Sequence, residues 1–97
     1  MNINDLASSI ATQADKLFPT RTDTSMFLKI YHETAELIDA NEDPAKRSDE
    51  LADLLILLLD YGARKDIDIQ MAVQRKMAIN QNRKWVTNQL GVNQHVK

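Results

Sequence analysis

The sequence predicts an all-α protein, an antiparallel helical bundle of about four helices that associates with copies of itself through helix faces. Three observations carry that expectation. Only two glycines (Gly62, Gly91) and two prolines (Pro19, Pro44) punctuate the chain, a scarcity that argues against hairpins and tight turns. No stretch alternates apolar and polar residues for long in the manner of a half-buried strand. Apolar residues instead recur at helical spacing, and Leu54-Leu55-Ile56-Leu57-Leu58-Leu59 form an unbroken run.

The first helix is expected from Asn4 or Asp5, either a good N-cap, to Leu17. Ile3, Leu6, Ala7, Ile10, Ala14 and Leu17 make its apolar stripe. Phe18-Pro19-Thr20 breaks it, because proline lacks a donor and turns the preceding residue away from helix. After a polar loop, Asp23 or Thr24 can cap a second helix reaching about Ala40. Asp43 and Pro44 mark the next start, cap followed by a proline at the first helical position, and that third helix runs to about Lys65. Its six-residue apolar run covers the whole circumference and calls for burial on every side, which a chain this short cannot easily supply; a subunit interface is the expected cover. Asp68 caps a fourth helix to about Trp85. The chain is read as one domain over 1–97, with 90–97 a frayed tail.

Composition bounds the function. A chain of 97 residues buries only about 60–65% of its unfolded surface, so oligomerisation to a homodimer or homotetramer would help. The absence of cysteine removes disulfides and thiolate metal sites and fits a reducing compartment. No apolar stretch reaches membrane-spanning length, and Met1-Asn2-Ile3-Asn4-Asp5 lacks the features of a signal peptide, so a cytoplasmic location is expected with no membrane partner. A formal charge of −2 gives no footprint for a nucleic acid polymer.

The chemistry lies in the second and third helices. Glu33 and Glu36 sit three apart, and Glu50 and Asp53 repeat that spacing. Residues so spaced project from one helix face, and a short connection makes the two helices antiparallel neighbours, so the pairs can converge. Two unit charges roughly 5 Å apart cost on the order of 3 kcal/mol at an effective dielectric of about 20, and a divalent cation is the simplest compensation. All-oxygen ligands suit Mg2+, with Mn2+ as a substitute. Acids three apart more commonly form a solvated face. Here, however, Asp53 immediately precedes the apolar run and Glu50 lies one turn back. A carboxylate-bridged di-iron bundle would need Glu-x-x-His on two helices, which neither His32 nor His95 supplies.

On the fourth helix, Lys76, Asn80 and Arg83 at i, i+4, i+7 fall within about 60° of arc and could hold phosphate oxygens. Basic residues near a helix C-terminus also simply favour the macrodipole, which would account for Arg83 and Lys84. Lys29 could join the phosphate site or pair with Glu33 as an i, i+4 ion pair.

Glu33-x-x-Glu36, thirteen residues, then Glu50-x-x-Asp53 resembles the signature of the MazG-like all-alpha nucleoside triphosphate pyrophosphohydrolases. The surrounding Lys29-Ile30-Tyr31-His32-Glu33-Thr34-Ala35-Glu36-Leu37 and Asp49-Glu50-Leu51-Ala52-Asp53-Leu54-Leu55 are similar to that family too. Lys76 to Arg83 resembles its closing lysine–asparagine–arginine helix, and the likeness spans about Phe18 to Trp85. The resemblance implies Mg-dependent hydrolysis of nucleoside triphosphates, often deoxy forms, to monophosphate and pyrophosphate, with magnesium at the acidic quartet and assembly as dimers or tetramers. His32 departs from the pattern, standing where many members carry another acid. Water activated by the metal would attack the α-phosphorus, with one of Glu33, Glu36, Glu50 or Asp53 as general base. Lys76, Asn80 and Arg83 would bind phosphate or sugar oxygens. Trp85, placed opposite Lys76 on a continuing helix, is expected to pack. A phosphoribosyl-ATP pyrophosphohydrolase-like enzyme and a non-enzymatic helical interaction module are the alternatives.

Overall fold

The computed structural model describes Met1–Val96; Lys97 lies outside the described residues. Its elements are α1 (Ile3–Leu17), α2 (Asp23–Asp39), α3 (Pro44–Arg64), α4 (Ile69–Gln81), β1 (Trp85–Thr87) and β2 (Asn93–His95). The four expected helices are present, and the caps explain where each starts. Asn2, rather than Asn4 or Asp5, caps α1 in a reciprocal capping box with Asp5. Thr22, rather than Asp23 or Thr24, does the same for α2 with Ser25. Asp43 caps α3, accepting from Ala45 and Lys46 ahead of Pro44, as the sequence indicates.

Helix α3 is the hub. Among the described residues, α1 and α2 each pack on it and not on one another, while α4 touches only α1 and α3. Helices α2 and α3 run antiparallel: Asp23 meets Lys65 at 2.6 Å at one end, and Glu33 faces Glu50 and Asp53 toward the other. The end of α3 is closed by Ile67 N–H donating to the Gly62 carbonyl (3.0 Å) and Asp66 N–H to that of Ala63 (3.1 Å). This arrangement puts Asp66 in the left-handed region, φ 54°. Gly62 permits the close return of the chain, because a Cβ there would lie 2.7 Å from Ile69 Cδ1. Asn4 ties the start of α4 to α1, its Oδ1 accepting from Ile69 and Gln70 N–H and its Nδ2 donating to Asp68, the α4 cap.

Two expectations are corrected. The fourth helix ends at Gln81, not near Trp85, and residues 85–95 form an antiparallel hairpin whose second strand, Asn93–His95, lies in the stretch 90–97 that was expected to fray. Asn88 organises the turn. Its N–H donates to the Val92 carbonyl, its carbonyl accepts from Gly91 N–H, and its Oδ1 accepts from Leu90 and Val92 N–H. Gly91 supplies φ 78°, the left-handed position that closes a three-residue hairpin loop. The apolar run is left partly uncovered, as expected for a chain this short. Within one chain only Leu59 is buried, while Leu55, Ile56 and Leu58 stay 44–46% exposed. The run is therefore not enclosed by its own chain. No described helix is long and apolar enough to cross a membrane.

Candidate metal centre

Helical spacing and the antiparallel α2–α3 contact bring three acids together. Carboxylate oxygens of Glu33, Glu50 and Asp53 all lie within 4.8 Å of one another. Glu33 is buried, Glu50 half-buried and Asp53 exposed, so the group forms a shelf at the edge of the bundle. Glu36, one turn after Glu33, stands outside this trio. Its carboxylate lies 3.4 Å from His32 Nε2, yet close enough that its charge helps raise the pKa of Glu50. That rise comes first from burial, then from a hydrogen bond with Glu33, then from the charges of Glu33, Asp53 and Glu36. Among the described residues, the one cation paired with the trio is Lys29, whose Nζ is 3.3 Å from Glu33, the ordinary i, i+4 partner.

An all-oxygen, multiply anionic group with one ammonium at its side suits a hard divalent ion. The carboxylate separations and the raised pKa of Glu50 both fit that ligand, since binding it would relieve the repulsion that now favours a proton.

The fourth-helix residues are not brought to this centre within one chain. Lys76 is exposed on α4, and α4 makes no contact with α2. Arg83 lies beyond the Asn82 C-cap, so it does not continue the helical face that its spacing suggested. It still meets Asn80, its Nη1 3.4 Å from Asn80 Oδ1. Trp85, expected on the far side of a helix, instead opens β1, donates its Nε1–H to the Asn80 carbonyl at 2.9 Å and packs edge-on to His95.

Sequence reasoning missed the other charged feature of this region. Arg21, from the α1–α2 connection, donates Nε–H to Asp60 Oδ2 (2.8 Å) and Nη2–H to Asp60 Oδ1 (2.9 Å) and Asp15 (2.8 Å). Arg21 and Asp60 side chains are only 9% and 5% exposed. Asp60 ends the apolar run, and an acid in that position was the available signal. Its partner lies 39 residues away and no local spacing announces it. The pair closes one end of a cavity of about 530 Å³ between α1, α2 and α3, walled by Ile10, Leu17, Phe18, Met26 and Leu57. Lys29 lines the same cavity, so one side chain borders both the cavity and the acidic trio.

Residues 9–97 match the family described as dATP/dGTP pyrophosphohydrolase. A dATP/dGTP diphosphohydrolase of Salmonella phage PMBT28 is 44% identical over 94 residues, 97% of this chain; the chain spans only 31% of that relative's length. A second relative, the dATP/dGTP diphosphohydrolase of Cyanophage S-2L, is 33% identical over 96 residues, covering 97% of this chain and 88% of its own. Among solved structures, the Cyanophage S-2L MazG-like pyrophosphohydrolase, bound to dGDP and three catalytic Mn2+ ions per active site, superposes with a TM-score of 0.87. Its sequence identity is 32%, and the match covers all of this chain and 95% of that one. With the acidic trio at the α2–α3 contact and a match over nearly its whole length, this chain belongs to the dATP/dGTP pyrophosphohydrolase family of MazG-like enzymes.

Proposed function

We propose that this chain hydrolyses purine deoxynucleoside triphosphates to the monophosphate and pyrophosphate, using Mg2+ or Mn2+ held by Glu33, Glu50 and Asp53 with Glu36 at the margin. The observation that carries this is the convergence of three carboxylates within 4.8 Å, whose mutual repulsion, expressed in the raised pKa of Glu50, a cation would relieve. A divalent ion bound there supplies charge neutralisation on phosphate oxygens and a lowered pKa for water. The chain's own residues do the rest. The acids would hold the ion, and whichever of them is free of it would accept the proton of the attacking water. Lys29, beside Glu33, offers an ammonium to a phosphate oxygen.

The cavity between α1, α2 and α3 suits the nucleoside. Its volume of about 530 Å³ falls in the usual range for small-molecule sites, and its walls are largely apolar. Asp60 is seven residues past Asp53, roughly 10 Å along the helix axis, about the reach from an α-phosphate to a base. Arg21 and Asp60, paired with one another, line the cavity and fix its wall. The family match favours this substrate class over phosphoribosyl-ATP, and a cysteine-free chain suits work in the cytoplasm.

The test is pyrophosphate release from a panel of deoxy- and ribonucleoside triphosphates, with and without Mg2+ or Mn2+. Metal-dependent release, fastest with dATP or dGTP, is expected. Equal rates with pyrimidine substrates would overturn the assignment of the cavity, and no release with any substrate would overturn the activity. Hydrolysis in oxygen-18 water should label the monophosphate; label in orthophosphate would exclude attack at the α-phosphorus.

A further inference from the structure

Building on the nucleoside placement proposed above, we infer that Gln13 selects the base, its amide turned one way for adenine and the other way for guanine, so that one cavity accepts both purines. Apart from six side chains the cavity between α1, α2 and α3 is lined by apolar residues. Four of the six are engaged elsewhere. Arg21 and Asp60 hold one another through two hydrogen bonds, and Arg21 gives two further N–H groups to Asp15 and the Phe18 carbonyl. Ser25 Oγ accepts from Thr22 N–H and donates to the Thr22 carbonyl, inside the cap of α2. Lys29 pairs with Glu33 and has donors only. Thr20 offers a lone hydroxyl, which rotates and fixes no edge.

Gln13 differs from all of these. Its side chain is exposed on the cavity wall, and among the described residues its amide makes no hydrogen bond. It also interrupts a pattern. Ile10, Gln13 and Leu17 fall at i, i+3 and i+7 on one face of α1, and all three line the cavity. A polar residue thus stands where the spacing calls for an apolar one, and it borders the space assigned to the nucleoside.

An amide carries an acceptor and a donor side by side in one plane. The Watson–Crick edge of adenine sets the N6 amino donor beside the N1 acceptor, and that of guanine sets the O6 acceptor beside the N1–H donor. Each edge is the reverse of the other at these positions. Turning the amide by half a revolution exchanges its carbonyl and its amino group, so either purine gains two hydrogen bonds from one side chain. A carboxylate in the same place would accept twice and favour guanine, through N1–H and the N2 amino group. An ammonium or guanidinium would donate only and leave the adenine amino group unpaired. Cytosine and thymine repeat the two patterns, but without the five-membered ring their edges sit closer to the sugar. With the reacting phosphate at the acids, a pyrimidine edge falls short of Gln13; length excludes pyrimidines while the amide admits both purines.

Changing the donor–acceptor pattern at this position tests the assignment through a ratio. Gln13→Glu should raise the preference for dGTP over dATP in kcat/KM by about 10-fold, because guanine keeps two bonds while adenine N1 faces a second acceptor. Gln13→Leu keeps the bulk and removes both polar groups, and should weaken the two purines alike, by about 10-fold. Calorimetric dissociation constants for dAMP and dGMP, measured without turnover, should shift in the same pattern, and Mn2+ affinity should stay at the parent's value. A ratio of two ligands does not depend on how much of a variant is folded. An unchanged dGTP-to-dATP ratio in Gln13→Glu would overturn the inference, as would parental binding of both monophosphates in Gln13→Leu. A parent that hydrolyses no triphosphate, yet binds dAMP and dGMP with a ratio that Gln13→Glu shifts, would refute the proposed activity and leave the role of Gln13 standing.

Discussion

Asp60 stands two turns beyond Asp53 on α3, and the two acidic positions meet opposite fates. Asp60 is buried against Arg21, whose guanidinium reaches both of its oxygens, and the charges cancel inside the chain. Glu50 and Asp53 face Glu33, another acid, and that charge is left over. The Asp60 bond, ahead of the Asp15 contact, raises the pKa of Arg21 and holds it charged, whereas burial and the neighbouring acids push Glu50 toward its protonated form. One group has found its partner and stabilises the fold. The other has been left without one and is available to a ligand.

Substitutions should separate the two groups sharply. Asp60→Ala leaves a buried guanidinium with only Asp15 and the Phe18 carbonyl, and should cost about 3 kcal/mol, toward the low end for a broken buried pair because Asp15 remains. A thermal melt should fall by at least roughly 10 °C. A change within a degree or two would show that the pair is structurally idle.

Glu50→Gln should do the reverse in metal-free protein, leaving stability unchanged or higher, because it removes one of several mutually repelling charges. The pH dependence follows from the same residue. With its pKa raised in the folded state, Glu50 binds its proton more tightly there than in the unfolded chain. Metal-free stability should therefore fall as pH rises from the ordinary carboxylate range through the raised value. Asp68 runs the other way. Its pKa is lowered by the Met71 N–H and then by Asn4, so its contribution is present above the ordinary value and lost as pH falls through the lowered one. Denaturant melts across pH should show the loss on the rising side disappear in Glu50→Gln, while Asp68→Asn flattens only the acid side. Persistence of the rising-side loss in Glu50→Gln would place its origin elsewhere.

The smallest effect serves as a control just past the end of α3, at a distance from both groups. Asp66→Gly relieves the left-handed backbone at φ 54° and should add about 0.5–1 kcal/mol without altering metal affinity. A shift in metal affinity would mean that the end of α3 is coupled to the centre.

What the sequence disclosed, and what it hid, follows the range of the interactions. The α3 start was legible because Asp43 and Pro44 are adjacent, and the acidic trio because helical spacing and a short connection bring two pairs face to face. Glu36 shares the spacing but stands outside the trio. The Arg21–Asp60 pair was illegible because it joins a loop to a helix across the fold. The hairpin was missed for a different reason. Asn88-Gln89-Leu90-Gly91 carries a turn signal, Asn at its start and Gly at the left-handed position, but the strands flanking it are only three residues long. That is too short for alternation to register. Arg83 was misplaced by the same error, since a helix continued to Trp85 would have put it on the Lys76 face.

The central claim is that the leftover charge on α3 and α2 is a cation site, and calorimetric titration of Mn2+ or Mg2+ into the metal-free protein tests it most directly. The parent should bind, and more weakly as pH is lowered into the carboxylate range, because protons compete with the ion for the acids. Glu50→Gln and Asp53→Asn should bind at least about 10-fold more weakly while remaining folded, and Asp60→Asn, if folded, should bind like the parent. Equal affinity in the parent, Glu50→Gln and Asp53→Asn would contradict the account.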